Sequence, residues 1–311
     1  MIDNGRVRGL WCANLTPLDR NGRLDGARMA AHIRILLGQG VDGVAPFGTT
    51  GEGPSFSVAE RRAGLDGLLA AGLPAARIAA GTGASAFTDA VELTRHALGV
   101  GVTRCLVVPP FFFKNVTDDQ VLAYYAHLID AVGDPRLRLF LYHIPQFSGV
   151  RIAPAVVARL AESFPGVVAG VKDSAGEWEN TAELLARVPQ LDILVGHEPH
   201  LPKLMKGGGA GTICGVANIF PGVVRALLAP AVAADDEARI KRFIDTLFRF
   251  PFLPAFKAIK AAQVDDEGWR SVRTPWTPLP DAERDDLLAA LDDAGFATRN
   301  VKQKTAYEID M

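Results

Sequence analysis

The sequence predicts an α/β fold: a parallel (β/α)8 TIM barrel with a C-terminal helical extension. Three observations predict it. Short apolar runs recur eight times up to residue 214, and the segments between them carry helix start and stop signals. Beyond residue 214 no further strand-like run occurs. A doubly wound sheet would share the alternation, but no Gly-x-Gly-x-x-Gly follows the first run.

The strand expectations are 9–13, 43–46, 77–81, 104–108, 138–142, 167–172, 192–195 and 211–214. Each is too short and too apolar for an exposed helix, as strands buried on both faces should be. Ser57 with Glu60 and Thr117 with Gln120 fit capping boxes, and Asn180 with Glu183 resembles a third. Gly38, Gly40, Gly99 and Gly101 stand where helices should end. Segments 233–248 and 281–294 read as helices of the extension. The expected organisation is a catalytic barrel over 1–218, an extension over 219–297, and a polar, unpatterned and mobile tail over 298–311.

Composition narrows the function classes. A net charge of −2 argues against nucleic acid and anionic membrane as partners. No apolar run reaches membrane-spanning length and no basic-then-apolar leader opens the chain, so a cytoplasmic location is expected. Cys12, Cys105 and Cys214 lie in apolar runs without metal-ligand spacing and read as small buried hydrophobes. The run His197-Glu198-Pro199-His200 lacks the helical two-histidine geometry of a zinc site because proline interrupts it, so no metal is expected.

In such a barrel the chemistry sits at the C-terminal ends of the strands. The second strand ends in Gly48-Thr49-Thr50-Gly51-Glu52, the fifth at Tyr142, and the sixth at Lys172. A lysine amine that loses its charge in a buried site adds to ketones and forms an imine, which withdraws electrons from the neighbouring carbon. Tyr142 can move the protons that this requires. Thr49, Thr50 and the N–H groups of a glycine-flanked loop, Gly48 included, suit a carboxylate. A 2-keto acid carries both groups on adjacent carbons, so this is the expected small-molecule substrate class. The covalent imine with Lys172 then stands in place of any cofactor. His143 alternates away from Tyr142 and should face the helix layer. Arg61, Arg62, Lys257 and Lys260 read as solvated helix faces or parts of subunit contacts. Phe111-Phe112-Phe113 would expose apolar surface unless a subunit interface covers it.

These motifs make the resemblance specific. The sequence resembles the dihydrodipicolinate synthase and N-acetylneuraminate lyase family of class I, pyruvate-type aldolases. The match runs from Leu15-Thr16-Pro17 to the stretch around Arg273-Thr274-Pro275, through Gly48-Thr49-Thr50-Gly51-Glu52, Gly81-Thr82-Gly83, Tyr142-x-Ile144-Pro145, Gly170-Val171-Lys172-Asp173-Ser174 and Gly211-Thr212-Ile213. The resemblance implies that Lys172 is the Schiff-base lysine and Tyr142 the proton relay, with Thr49 as its partner hydroxyl. It implies that Thr50 binds the pyruvate carboxylate and that the Ile213 carbonyl faces the lysine pocket. It also implies a homotetramer built as a dimer of dimers.

Departures from the family pattern bear on substrate. Lysine-pathway synthases carry a tyrosine where this chain has Phe112, and that tyrosine reaches into the neighbouring subunit's site. They carry a carboxylate-clamping arginine where this chain has Phe147. A desolvated Arg–carboxylate pair is commonly worth a few kcal/mol, so its loss argues against synthase activity. Sialic acid lyases have two acidic residues where this chain has Glu198 and Pro199, and a serine where it has Gly215. The expectation is therefore a lyase that cleaves or forms a 4-hydroxy-2-keto acid or 2-keto-3-deoxy sugar acid with pyruvate as one component. Ser174, His197 and Glu198 are the candidates for distal hydroxyls. A dehydratase or deaminase using the same imine, a true synthase despite Phe112 and Phe147, and a non-catalytic keto-acid sensor are the alternatives.

Overall fold

A computed structural model describes residues 5–299. Eight parallel strands form one sheet: β1 (Gly9–Cys12), β2 (Gly43–Val44), β3 (Ala79–Gly81), β4 (Arg104–Val107), β5 (Arg138–His143), β6 (Val168–Asp173), β7 (Asp192–Val195) and β8 (Gly211–Cys214). Their order in space is β2-β1-β8-β7-β6-β5-β4-β3. The two edges meet through a parallel bridge between Val44 and Ile78, and the Gly81 N–H donates to the Pro46 carbonyl at 2.8 Å. The sheet is thereby a barrel.

Helices alternate with the strands: α1 (Gly26–Gly38), α2 (Val58–Ala70), α3 (Phe87–Gly99), α4 (Asp118–Val132), the single turn α5 (Pro145–Ser148), α6 (Pro154–Ser163), α7 (Trp178–Arg187) and α8 (Leu201–Lys206). After β8 come α9 (Pro221–Ala226), α10 (Ala234–Leu247), α11 (Phe252–Val264) and α12 (Asp281–Asp293). Capping boxes start α2 at Ser57 and α4 at Thr117. Among the described residues no helix is long and apolar enough to cross a membrane.

Alternation along the strands divides the core. Leu139 and Leu141 pack outward in the main cluster, between strands and helices. Phe140, Tyr142 and Ile144 point inward, with Trp11, Leu106, Leu194 and Ile213. His143 faces the helix layer, where its Nδ1 accepts the Ile152 N–H at 3.0 Å. The barrel interior is thus a packed core topped by a polar mouth.

Four expectations need correction. Asn180 does not cap α7: Glu177 holds that position without a side-chain bond, and the Asn180 amide donates to Asp173 at 2.9 Å. Arg61 is buried and donates to the carbonyls of Gly81 and Gly83, so it ties α2 to the end of β3. Lys257 and Lys260 are buried as well, because α11 is enclosed on nearly every face. Thr298 is buried and bonded to Asp292, so the first residue of the expected mobile tail is docked. Residues 300–311 of that tail lie outside the described residues.

Candidate active site

At the C-terminal mouth of the barrel lies a cavity of about 350 Å³. Its floor is set by strand register. Tyr142 on β5 pairs directly with Lys172 on β6, which pairs with Leu194 on β7. All three face inward, and Lys172 Nζ lies 4.2 Å from the centroid of the Tyr142 ring. The next residue, Asp173, faces outward and accepts from Ala175 N–H, Asn180 and Thr181 at 2.8–3.1 Å. That anchor to the start of α7 fixes the strand end and therefore the direction of the lysine. Lys172 is only 4% exposed, so this strand-end lysine is enclosed rather than solvated.

The loop after β2 completes the floor. The Tyr142 hydroxyl is 3.2 Å from Thr49 Oγ1. Phe47 and Glu52 both adopt left-handed backbone, with φ of 59° and 56°, so the loop is tightly wound about Thr49 and Thr50. Gly53 permits the winding: a Cβ there would overlap the Phe47 carbonyl. Gly53→Ala is expected to cost roughly 1–3 kcal/mol of stability and to raise KM for the keto acid. Unchanged thermal denaturation and unchanged KM would show that the loop tolerates a side chain there.

The loop is also bolted from behind. Glu52 forms an ion pair with Lys257 of α11, and both side chains are fully buried. Glu52 also accepts the Arg273 N–H at 2.7 Å, and the Lys257 amine donates to the Ser271 carbonyl at 2.6 Å. The Arg273 side chain in turn grips both oxygens of Glu60 and lies 4.2 Å from the Phe56 ring centroid. This pairing pulls the Glu60 carboxyl down to about 2.

Of the residues that the sequence singled out, the structure brings Lys172, Tyr142, Thr49, Thr50, Ile213, Ser174, His197, Glu198 and Phe147 to this cavity. Gly48 and Phe112 do not line it. Gly48 lies one step behind Thr49, and Phe112 is 71% exposed on the loop after β4. Glu198 is buried, accepts the Val216 N–H at 3.3 Å, and has its pKa raised by burial. Burial lowers the His197 pKa, so its ring favours the uncharged form. Its neighbour His200 packs edge-on at 4.7 Å between centroids. The three cysteine thiols are buried and pushed up by burial, Cys105 to about 12, so none is poised as a thiolate. Among the described residues no group of three His, Cys, Asp or Glu side chains is placed to hold a metal ion.

One wall was missed by sequence reasoning. Ile244, Leu247 and Phe248, at the end of α10 and just beyond it, and Phe252 and Phe256 of α11 line the cavity, as does Gln146 of α5. The signal was present: 251–264 is apolar all round, the mark of a buried helix rather than a surface one. Its two lysines hid that signal.

Comparison with known proteins places this geometry. The model of the dihydrodipicolinate synthetase family matches residues 6–294. A relative from Chloroflexus aurantiacus, named an uncharacterized DapA-like lyase, is 36% identical over 92% of this chain and 96% of its own. A 4-hydroxy-tetrahydrodipicolinate synthase from Methylococcus capsulatus is 30% identical over 93% of this chain and 99% of its own. The crystal structure of dihydrodipicolinate synthase from Agrobacterium tumefaciens superposes with a TM-score of 0.87 at 36% identity, covering 93% of this chain and 99% of that one.

Proposed function

The chain belongs to the dihydrodipicolinate synthetase family, and from that premise we propose that it is a Schiff-base lyase that releases pyruvate from a 4-hydroxy-2-keto acid or a 2-keto-3-deoxy sugar acid. The observation that carries the reading is the placement of a buried Lys172 beside Tyr142 and the Thr49–Thr50 loop, with Phe147 at the rim. In its neutral form the Lys172 amine adds to the C2 ketone, water leaves, and an imine forms. Thr50 and the loop N–H groups hold the adjacent carboxylate. The C4 hydroxyl gives up its proton to the Tyr142–Thr49 relay and the C3–C4 bond breaks. The electron pair of that bond passes through the imine to nitrogen, leaving an enamine and a free aldehyde. Protonation at C3 and addition of water then release pyruvate and restore the amine. No external cofactor enters this sequence.

One observation favours a second reading. The buried carboxyl of Glu198 lines the cavity, and in its protonated form it would protonate a leaving hydroxyl so that the same imine eliminates water. A panel of hydroxy-keto acids separates the two. Pyruvate and an equivalent of aldehyde are the expected products, whereas a dehydrated keto acid retaining every carbon would make the protein a dehydratase. Tyr142→Phe is expected to slow kcat by roughly 10²–10⁴-fold while the protein still binds pyruvate. A normal kcat in that variant would remove Tyr142 from the relay.

The proposal includes a homotetramer, a dimer of dimers, acting in the cytoplasm. Phe112 and Phe113, 71% and 73% exposed, offer the apolar surface that a second copy would cover.

A further inference from the structure

We propose that the aldehyde half of the substrate is uncharged and carries an aromatic or bulky apolar group; this rests on the lyase reading above and narrows it. The cavity lining is mixed. Ser174, His197 and Glu198 line it with Lys172. Phe147, Ile244, Leu247, Phe248, Phe252 and Phe256 supply a large apolar share of the same lining. Among the described residues lining the cavity, Lys172 is the only lysine or arginine.

The aromatic residues of the lining form a built surface. Phe147 packs edge-to-face on Phe252 at 5.4 Å, and Phe252 on Trp276 at 5.7 Å, so three rings support one another from α5, α11 and the segment beyond it. Phe147 and Phe248 remain 49% and 61% exposed at the mouth, where an apolar group could cover them. Gly215 carries no polar side chain, and a Cβ there would lie 3.1 Å from the Phe256 ring, so a larger residue would press on that ring. The Gln146 amide is engaged, donating to the Ser174 carbonyl at 2.7 Å.

Each substrate type meets this surface differently. A carboxylate at the distal end would face rings with no cation to pair with it, a costly burial. A polyhydroxyl tail that reaches Phe147, Phe248 and Phe252 would find no hydrogen-bonding side chain on those rings. An aromatic or branched apolar group would bury its surface against the rings while the C4 hydroxyl meets the polar groups around Lys172.

The test uses binding and turnover as separate arms. Calorimetry would compare 2-oxo-4-phenylbutanoate with 2-oxoglutarate, on the parent enzyme and on Lys172→Ala, where no imine can form. The phenyl compound is expected to bind at least tenfold more tightly to both proteins. Pyruvate condensation would be measured with benzaldehyde, succinic semialdehyde and glyceraldehyde, and benzaldehyde is expected to lead in kcat/KM by at least tenfold. Phe248→Ala should erode that lead at least threefold, read as the ratio of kcat/KM for benzaldehyde to that for glyceraldehyde. Phe147→Arg should shift preference toward the carboxylated compounds, and both residues are exposed enough for the variants to fold. Equal or tighter binding of 2-oxoglutarate to the parent would overturn the proposal, as would a lead for succinic semialdehyde or glyceraldehyde. Absence of an imine with pyruvate would instead overturn the lyase reading, and the calorimetric ranking would still decide the pocket.

Discussion

Lys172→Ala is expected to abolish turnover, with kcat falling by at least about 10⁴-fold, while the protein folds normally and its thermal transition barely moves. The lysine sits at the floor of a cavity, so trimming it enlarges the cavity and gives up chiefly its contact with the Tyr142 ring. Catalysis that passes through a covalent imine has no second amine to fall back on: among the described residues, no other lysine lines the cavity. Lys260 is buried nearby in α11, with burial bringing it down to about 7, but it is not a lining residue. Steady-state assay of the variant beside a denaturation curve separates lost chemistry from lost structure. Substantial turnover in a folded Lys172→Ala protein would mean that the imine is formed elsewhere or not at all.

The largest stability effect should come from a residue far less exposed to notice. Lys257→Met or Glu52→Gln is expected to cost roughly 3–5 kcal/mol, because each leaves its partner buried without its counter-charge. Both side chains are completely buried in this pair. Burial alone pushes the Lys257 pKa down and Glu52 pulls it back up, so removing Glu52 favours the neutral amine. Combining the two substitutions should recover much of the loss, since neither charge is then stranded. The pair also holds the Thr49–Thr50 loop against α11, so Glu52→Gln should raise KM for the keto acid more than it lowers kcat. Urea unfolding of the two single variants and the double variant measures the coupling. Single variants within 1 kcal/mol of the parent would show that the pair is dispensable.

Much of the barrel was legible in the sequence because its strands are buried on both faces and so stand out as apolar runs. The boundaries of β4 to β8 lie within one residue or so of the expected runs. Strand β2 is shorter than expected because the chain turns at Pro46 and Phe47 into the left-handed loop, a tertiary demand that composition does not announce. The site was legible where chemistry and spacing coincide, as at Lys172, Tyr142 and Thr49. It was not legible where long side chains are buried. Arg61, Lys257 and Lys260 have the residue types of surface helices, and only the carbonyls of Gly81 and Gly83, or the carboxylate of Glu52, explain why Arg61 and Lys257 are inside. The aromatic wall was lost for the same reason, since α11 lacks the amphipathic stripe by which helices are usually found. Phe147, by contrast, was visible at once as an apolar ring where the family resemblance implies a carboxylate-clamping arginine. The structure adds that this ring is supported by Phe252 and Trp276.

The most direct measurement is imine trapping. The enzyme is incubated with pyruvate and borohydride, digested, and its peptides weighed. The expected result is one reduced pyruvate adduct per chain, on the peptide containing Lys172, and none in Lys172→Ala. An unmodified chain, or an adduct on another lysine, would contradict the assignment of Lys172 as the nucleophile.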